Sequence, residues 1–228
     1  MAWPKISLIL TTHNRDRYLG QALRSAVNQT YRNLQIVIIA DGCTDSTMEV
    51  LEGYGHYDDR IDVCATERIG RVQSLILGHE LSTGELVGWL DDDDLLAPNA
   101  VEVTAATLSD GAFDLVYTDR YLIGPHGEPK GQNLPHQYTY KGLMGQFITK
   151  HFRLFTRAIY EEVGGLDPLF TYAMDYDLCL RVGEHLGIYH LPSPLYYYRI
   201  HEGQISQVHR QAQARKSQLA RSKAVERY

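Results

Sequence analysis

The sequence predicts a single α/β domain built on a mostly parallel, doubly wound sheet flanked by helices, with a smaller mixed region behind it. Two observations carry this. Residues 6–90 alternate short apolar runs with amphipathic ones, and runs such as SLIL and IVIIA are unbroken rather than alternating. A strand covered by helices on both faces has no solvent side, so it reads as continuous Val, Ile and Leu. The third observation is size: 228 residues with 44% hydrophobic side chains suffice for one sizeable core and are short for two.

The elements follow in order. ISLIL (6–10), LQIVIIA (34–40), IDVCA (61–65) and ELVGWL (85–90) read as strands, and YLGQALRSAVNQ (18–29), STMEVLEGY (46–54) and VQSLILGHEL (72–81) as the helices between them. In such a sheet, ligands sit beyond the carboxyl ends of the strands, here Thr11 to Asn14, Asp41 to Asp45 and Asp91 to Asp94, all polar. Beyond Pro98 come a helix, a strand FDLVYTD, a hairpin-like stretch around GPHGEP, a helix before Gly164-Gly165, another from about Asp175 to His185, and a strand PLYYYRI. The final 25 residues carry few large apolar groups at irregular spacing, so a surface helix or a partly ordered tail is expected.

A formal charge of -6 gives no basic footprint for nucleic acid. The charge is uneven, because Arg210, Arg215, Lys216, Arg221, Lys223 and Arg227 crowd the end. No apolar run approaches the roughly 20 residues needed to span a bilayer, and the start MAWPKISLIL lacks a signal-peptide pattern, so a cytoplasmic protein is expected. Cys43, Cys64 and Cys179 lack metal-type spacing and are expected as reduced thiols.

Asp91-Asp92-Asp93-Asp94, directly after LVGWL, is the strongest local signal, since adjacent carboxylates repel one another unless something positive lies nearby. In extended geometry Asp91 and Asp93 point one way and Asp92 the other. Such hard oxygen ligands suit Mg2+ or Mn2+; the alternative is an acidic turn capping the helix after Pro98. His201, beyond YYYRI, either completes a carboxylate-held metal site or faces solvent. Asp175 and Asp177 open a helical pattern, where Asp ordinarily caps free N–H groups; Asp175 is otherwise a candidate general base. Asp41 before Gly42 either contacts a base or ribose or stabilises its turn, and Thr11 and His13 share that ambiguity.

Together these segments resemble family 2 glycosyltransferases over Ile6 to about Ser206. ISLILTTHNR is similar to that family's first strand and nucleotide-contacting loop, IVIIADGCTDST to its second strand, and GELVGWLDDDDLLAP to the strand with the DxD motif. EEVGGLDPLFTYAMDYDLCLR resembles the segment ending in the catalytic base, and YRIHEGQIS the late metal-ligand segment. The resemblance implies a GT-A fold, a Rossmann-like sheet with a nucleotide-sugar half (1–118), an acceptor half (119–206) and a basic tail (207–228). It implies that Thr11, His13 and Asp41 contact the nucleoside, Asp92 the ribose or sugar, and Arg71, with Arg68, the diphosphate. Asp93 and His201 become ligands of a divalent cation, Mn2+ or Mg2+, with Asp91 supporting, and Asp175 becomes the base.

The activity implied is transfer, with inversion, of a sugar from a nucleotide-diphosphate donor, UDP-sugar by default, to a saccharide or lipid-linked acceptor. The basic tail is a candidate contact for an anionic membrane surface, at its inner face, or for a second copy of the chain. Three departures stand out: His13 where Tyr is common, Ile76 where Asn is frequent, and Met174 where Glu often precedes the base. A sugar nucleotidyltransferase would show a Gly-rich basic loop where this chain reads TTHNRDRYLG, and a dehydrogenase would show G-x-G-x-x-G. A non-catalytic sugar-nucleotide-binding subunit is the remaining alternative, which an intact Asp175 disfavours.

Overall fold

The computed structural model describes residues 3–134, 137–185 and 187–227. Its elements run β1 (Ile6–Thr12), α1 (Asp16–Val27), β2 (Leu34–Asp41), α2 (Thr47–Gly55), β3 (Ile61–Thr66), α3 (Arg71–Leu81), β4 (Leu86–Trp89), β5 (Leu95–Leu96) and α4 (Ala100–Leu108). The second half contributes β6 (Leu115–Ile123), β7 (Pro129–Asn133), α5 (Tyr140–Gly145), β8 (Arg153–Thr156), α6 (Arg157–Glu162), α7 (Met174–Gly183), β9 (Ile188–Arg199), α8 (Ile205–Val208) and α9 (Arg210–Arg227).

One sheet runs through the molecule in the order β3-β2-β1-β4-β8-β6-β9-β5, with β7 paired to β6. The parallel arrangement expected from the apolar runs occupies β3-β2-β1-β4, where Ile9 lies opposite Val37 on one side and Trp89 on the other. Successive strand residues enter opposite cores. Leu8, Leu10, Ile36 and Ile38 pack with Leu19 and Leu23 of α1, whereas Ile9, Val37 and Ile39 pack with Val72 and Leu75 of α3. Burial of both faces is therefore why these strands show no alternation.

The antiparallel β8 joins the two halves, pairing with β4 through Val87 and Phe155 and with β6 through Tyr117 and Arg153. The hairpin expected around GPHGEP is the β6–β7 turn. The β9 strand starts at Ile188, six residues before the expected PLYYYRI, and runs parallel to β6. Its early part, with Pro192 and Pro194, accommodates the irregular register between Thr118 and Arg120. The tail forms a continuous helix, α9, packed on α7 by Ala220 and Ala224, both fully buried. Their four-residue separation puts them on one face, and small alanines permit close approach. No helix among the described residues is long and apolar enough to cross a membrane.

A buried histidine ties α3, β4 and α6 together. Trp89 Nε1–H donates to His79 Nε2 at 3.0 Å, and the imidazole stacks on Tyr160 with ring centroids 3.7 Å apart. Burial, with the Arg157 guanidinium beside it, pulls His79 down to about 3. The folded state therefore holds its proton less tightly than the unfolded chain. Stability is fully present above the ordinary histidine range, near 6.5, and is lost progressively as pH falls toward about 3. Urea unfolding between pH 7.5 and 5 should show this decline, and His79→Gln, which keeps an acceptor for Trp89, should flatten it. An unchanged slope in the variant would assign the acid sensitivity elsewhere.

Candidate functional site

The carboxyl ends of β1, β2 and β4 converge on two adjoining clefts. One is lined by Thr11, His13, Asp41, Arg71, Asp91 and Asp92, along with Arg68. It adjoins a second, which shares Arg71, Asp91 and Asp92 and adds Asp93, His151 and Asp175. The candidates read from the sequence thus surround one continuous site, with His201 placed behind Asp93 rather than in the clefts' walls.

Asp41, at the end of β2, is almost wholly buried, and its carboxylate is fully engaged. Its Oδ1 accepts from the Ile69 amide at 2.6 Å and its Oδ2 from the Gly70 amide at 3.0 Å, while Arg68 forms an ion pair with it. The following Gly42 has φ of +63°, and a Cβ there would meet the Arg68 backbone nitrogen at 2.9 Å, so glycine is required. His13 Nδ1–H donates to the Asp41 carbonyl at 2.7 Å, fixing the loop after β1 to the one after β2.

Each carboxylate of the acidic turn has its own partner. Asp91 pairs with Arg71 of α3 and lies 3.6 Å from His151 Nε2. Asp92 Oδ1 is 3.8 Å from Arg15 Nε. Asp93 Oδ2 accepts from His201 Nε2 at 2.9 Å. Asp94 is fully buried and accepts the Arg199 amide at 2.7 Å. The buried Arg199 guanidinium then bonds the Asp93 carbonyl at 2.7 Å and Gln21 at 2.9 Å, clamping the turn to the end of β9.

Compensation is incomplete. Burial and the adjacent Asp93 push the Asp92 carboxyl up to about 7. Burial also raises Asp91, against the pull of Arg71, and lifts Asp94 well above the usual carboxylate range. A site so rich in carboxylate favours a cation. Among the described residues no cluster of three or more metal-binding side chains occurs. Asp93 and His201 nevertheless supply one carboxylate and one imidazole in contact. That donor set, a hard carboxylate oxygen beside an imidazole, fits a small divalent ion.

Asp175 lies across the cleft at the start of α7. Its Oδ1 accepts the Tyr176 amide at 2.9 Å, and its Oδ2 accepts from Arg153 Nη2 at 3.1 Å. It therefore engages a free N–H of the first helical turn and faces the cleft as well. Asp177 instead pairs with Arg181 one turn on, at 2.7 Å, away from the cleft lining.

Sequence reasoning missed Arg15, His151, Arg153 and Arg199. Arg153 is only 3% exposed; its Nη1 donates to the Thr149 carbonyl at 2.6 Å and its Nη2 approaches His151 at 3.2 Å. Burial among Arg153, Arg120, Arg71 and Lys150 drives His151 well below its ordinary range, so it is neutral. The one available signal was the density of basic groups in KHFRLFTR, just ahead of the acceptor-side segment.

An α/β sheet with polar residues gathered at its strand ends and carboxylates on both walls of the cleft defines a GT-A type of protein. The family model described as glycosyl transferase family 2 matches residues 7–164, and the chain belongs to that family. The chain is 29% identical over 201 residues to the chondroitin synthase of Pasteurella multocida (strain Pm70), covering 87% of this chain and 21% of that protein. It is 29% identical over 204 residues to the chondroitin synthase of Escherichia coli, covering 88% and 29%. The chain thus spans less than a third of either relative. Among solved structures, S. aureus TarS 1-349 in complex with UDP-GlcNAc superposes with a TM-score of 0.70 at 18% identity, covering 88% of this chain and 60% of that one. The mannosyltransferase PcManGT from Pyrobaculum calidifontis, in complex with GDP-Man and Mn2+, gives 0.70 at 18% identity, covering 99% and 65%. These likenesses establish the GT-A fold. The family match ends before Asp175 and His201.

Because Arg153 holds the Asp175 carboxylate, Arg153→Met should, on the role proposed for Asp175 below, lower kcat by about 10²-fold while leaving the affinity for UDP, the donor moiety proposed below, nearly unchanged. Arg153→Lys should restore part of the rate. Steady-state kinetics with UDP titration checks the split, and an equal loss of UDP affinity would make Arg153 a general structural support.

Proposed function

We propose that this glycosyltransferase uses a UDP-sugar, holds the donor diphosphate with a divalent cation at Asp93 and His201, and delivers the sugar with inversion to a hydroxyl deprotonated by Asp175. The observation that carries this reading is the single cleft with Asp91, Asp92 and Asp93 on one wall and Asp175 on the other.

Thr11, His13 and Asp41 take the nucleoside. Since Asp41 is already engaged, binding exchanges Arg68, which is 54% exposed, for the incoming base, while the Ile69 and Gly70 amides keep the carboxylate in place. Arg71 reaches the diphosphate from the side of Asp91, and Asp92 contacts the ribose or sugar. Mn2+ or Mg2+, when bound, supplies positive charge that stabilises the leaving diphosphate more in the transition state than in the ground state.

The acceptor oxygen attacks the anomeric carbon from the Asp175 side as the bond to the diphosphate oxygen breaks on the other, the diphosphate leaving with the bonding electrons. Asp175 takes the hydroxyl proton. Arg153 keeps Oδ2 of Asp175 oriented, and one displacement without a covalent intermediate inverts the centre. Relatives named chondroitin synthase favour a saccharide acceptor and a role in polysaccharide or glycolipid assembly. A cytoplasmic location with peripheral membrane contact would use the outer face of α9. Arg210 and Arg215 are exposed there, whereas Arg221, Lys223 and Arg227 engage Gly145, Asp167 and Glu184.

Two variants separate binding from chemistry. Asp175→Asn is nearly isosteric and should reduce transfer by about 10²- to 10⁴-fold with donor affinity preserved. Asp93→Ala should weaken UDP binding in Mn2+ to the level seen in EDTA and lower transfer too. Calorimetric titration and transfer assays read both. Substantial transfer by folded Asp175→Asn moves the base elsewhere, and equal UDP affinity with Mn2+ and EDTA removes the cation from the account.

A further inference from the structure

Two cations close to the acceptor-side wall have no hydrogen-bonded or ion-paired oxygen among the described residues. Arg120 lies on β6 and Lys150 just before β8, both half-buried. The guanidinium carbon of Arg120 sits 4.1 Å over the Tyr198 ring, and Lys150 Nζ sits 4.6 Å over Phe147. Among the described residues Arg120 Nε is buried without a hydrogen-bond partner, and neither side chain pairs with a carboxylate.

Three other buried or half-buried cations each have an oxygen partner. Arg153 has Asp175, Arg181 has Asp177, and Arg199 has the Asp93 carbonyl and Gln21. An aromatic face offsets only part of the cost of taking a cation out of water, so Arg120 and Lys150 are left with surplus charge. Burial and the nearby Arg120 pull the Lys150 ammonium down to about 8, which reflects the same crowding of positive groups.

Their position indicates what the charge is for. Tyr198, beneath Arg120, lines the cleft with His151 and Asp175. Lys150 precedes His151 and lies within electrostatic reach of Asp175, Arg120 and Arg153. Arg153 is committed to Asp175, and the donor side has its own cations in Arg71 and Arg15. We propose that Arg120 and Lys150 form an anion subsite for the acceptor, receiving a carboxylate or phosphate group carried near the hydroxyl that is to be glycosylated. Its placement beside that hydroxyl rests on the role proposed for Asp175; the binding of an anion does not.

With UDP and Mn2+ saturating the donor side, NMR titration compares methyl glucuronide, glucose 6-phosphate and the neutral methyl glucoside. At least one anionic probe should bind about tenfold tighter than the glucoside, as expected of a charge-assisted contact, and the tighter of the two identifies carboxylate or phosphate as the group recognised. Arg120→Met and Lys150→Met should each abolish most of that preference, Arg120→Lys should keep it, and UDP affinity should be unaffected in all three. If Arg120→Met does not fold, Lys150→Gln decides the matter. Equal binding of all three probes, a preference that survives both methionine substitutions, or a parallel loss of UDP affinity overturns the subsite. Because the readout is binding, such a result leaves the role of Asp175 to be judged by its own kinetics.

Discussion

Four carboxylates in succession at the end of a buried strand cannot stand without positive partners, and the architecture around Asp91 to Asp94 is arranged to supply them. The partners come from distant points of the chain: Arg15 from the loop after β1, Arg71 from α3, His151 from the approach to β8, and His201 from beyond β9, while the Arg199 backbone amide at the end of β9 donates to Asp94. Each contact fixes one segment against the acidic turn. The site and the fold are therefore held by the same interactions, and Arg199 exemplifies this by joining Asp93, Asp94 and Gln21 of α1. The remaining surplus of negative charge, expressed in the raised Asp92, prepares the turn for a cation.

On the opposite wall Arg153 pairs with Asp175, and Lys150 lies within electrostatic reach of both. His151 stands between the walls, within reach of both Asp91 and Arg153, and burial among cations keeps it neutral. The β8 strand links the parallel half to β6.

The parallel half was legible because two-sided burial leaves unbroken Ile, Val and Leu runs in β1 and β2. Strand-end residues followed from the rule that ligands bind beyond carboxyl ends, so Thr11, Asp41 and Asp91 to Asp93 could be named; Asp175 and His201 stood as open candidates, and the resemblance gave them roles and added Arg71. What remained hidden lies mainly in antiparallel or irregular elements. RLFT is only four residues, too short for a period, so β8 gave no strand signal. The prolines in the first part of β9 obscured six residues of strand. The α9 helix hides its packing behind two alanines, which no hydrophobic pattern marks. The Arg199 amide and the Asp94 carboxylate that accepts from it are 105 residues apart, and nothing in either local segment announces the other.

The central claim is that the acidic turn, clamped by Arg199, presents Asp93 and His201 together to a cation bridging to the donor diphosphate. The direct measurement is anomalous diffraction at the manganese edge on crystals soaked with UDP and Mn2+. The account predicts one peak in bonding contact with the Asp93 carboxylate, the His201 imidazole and the UDP diphosphate oxygens. Bound UDP with no manganese peak there, or with a peak that His201 and Asp93 do not touch, would contradict it.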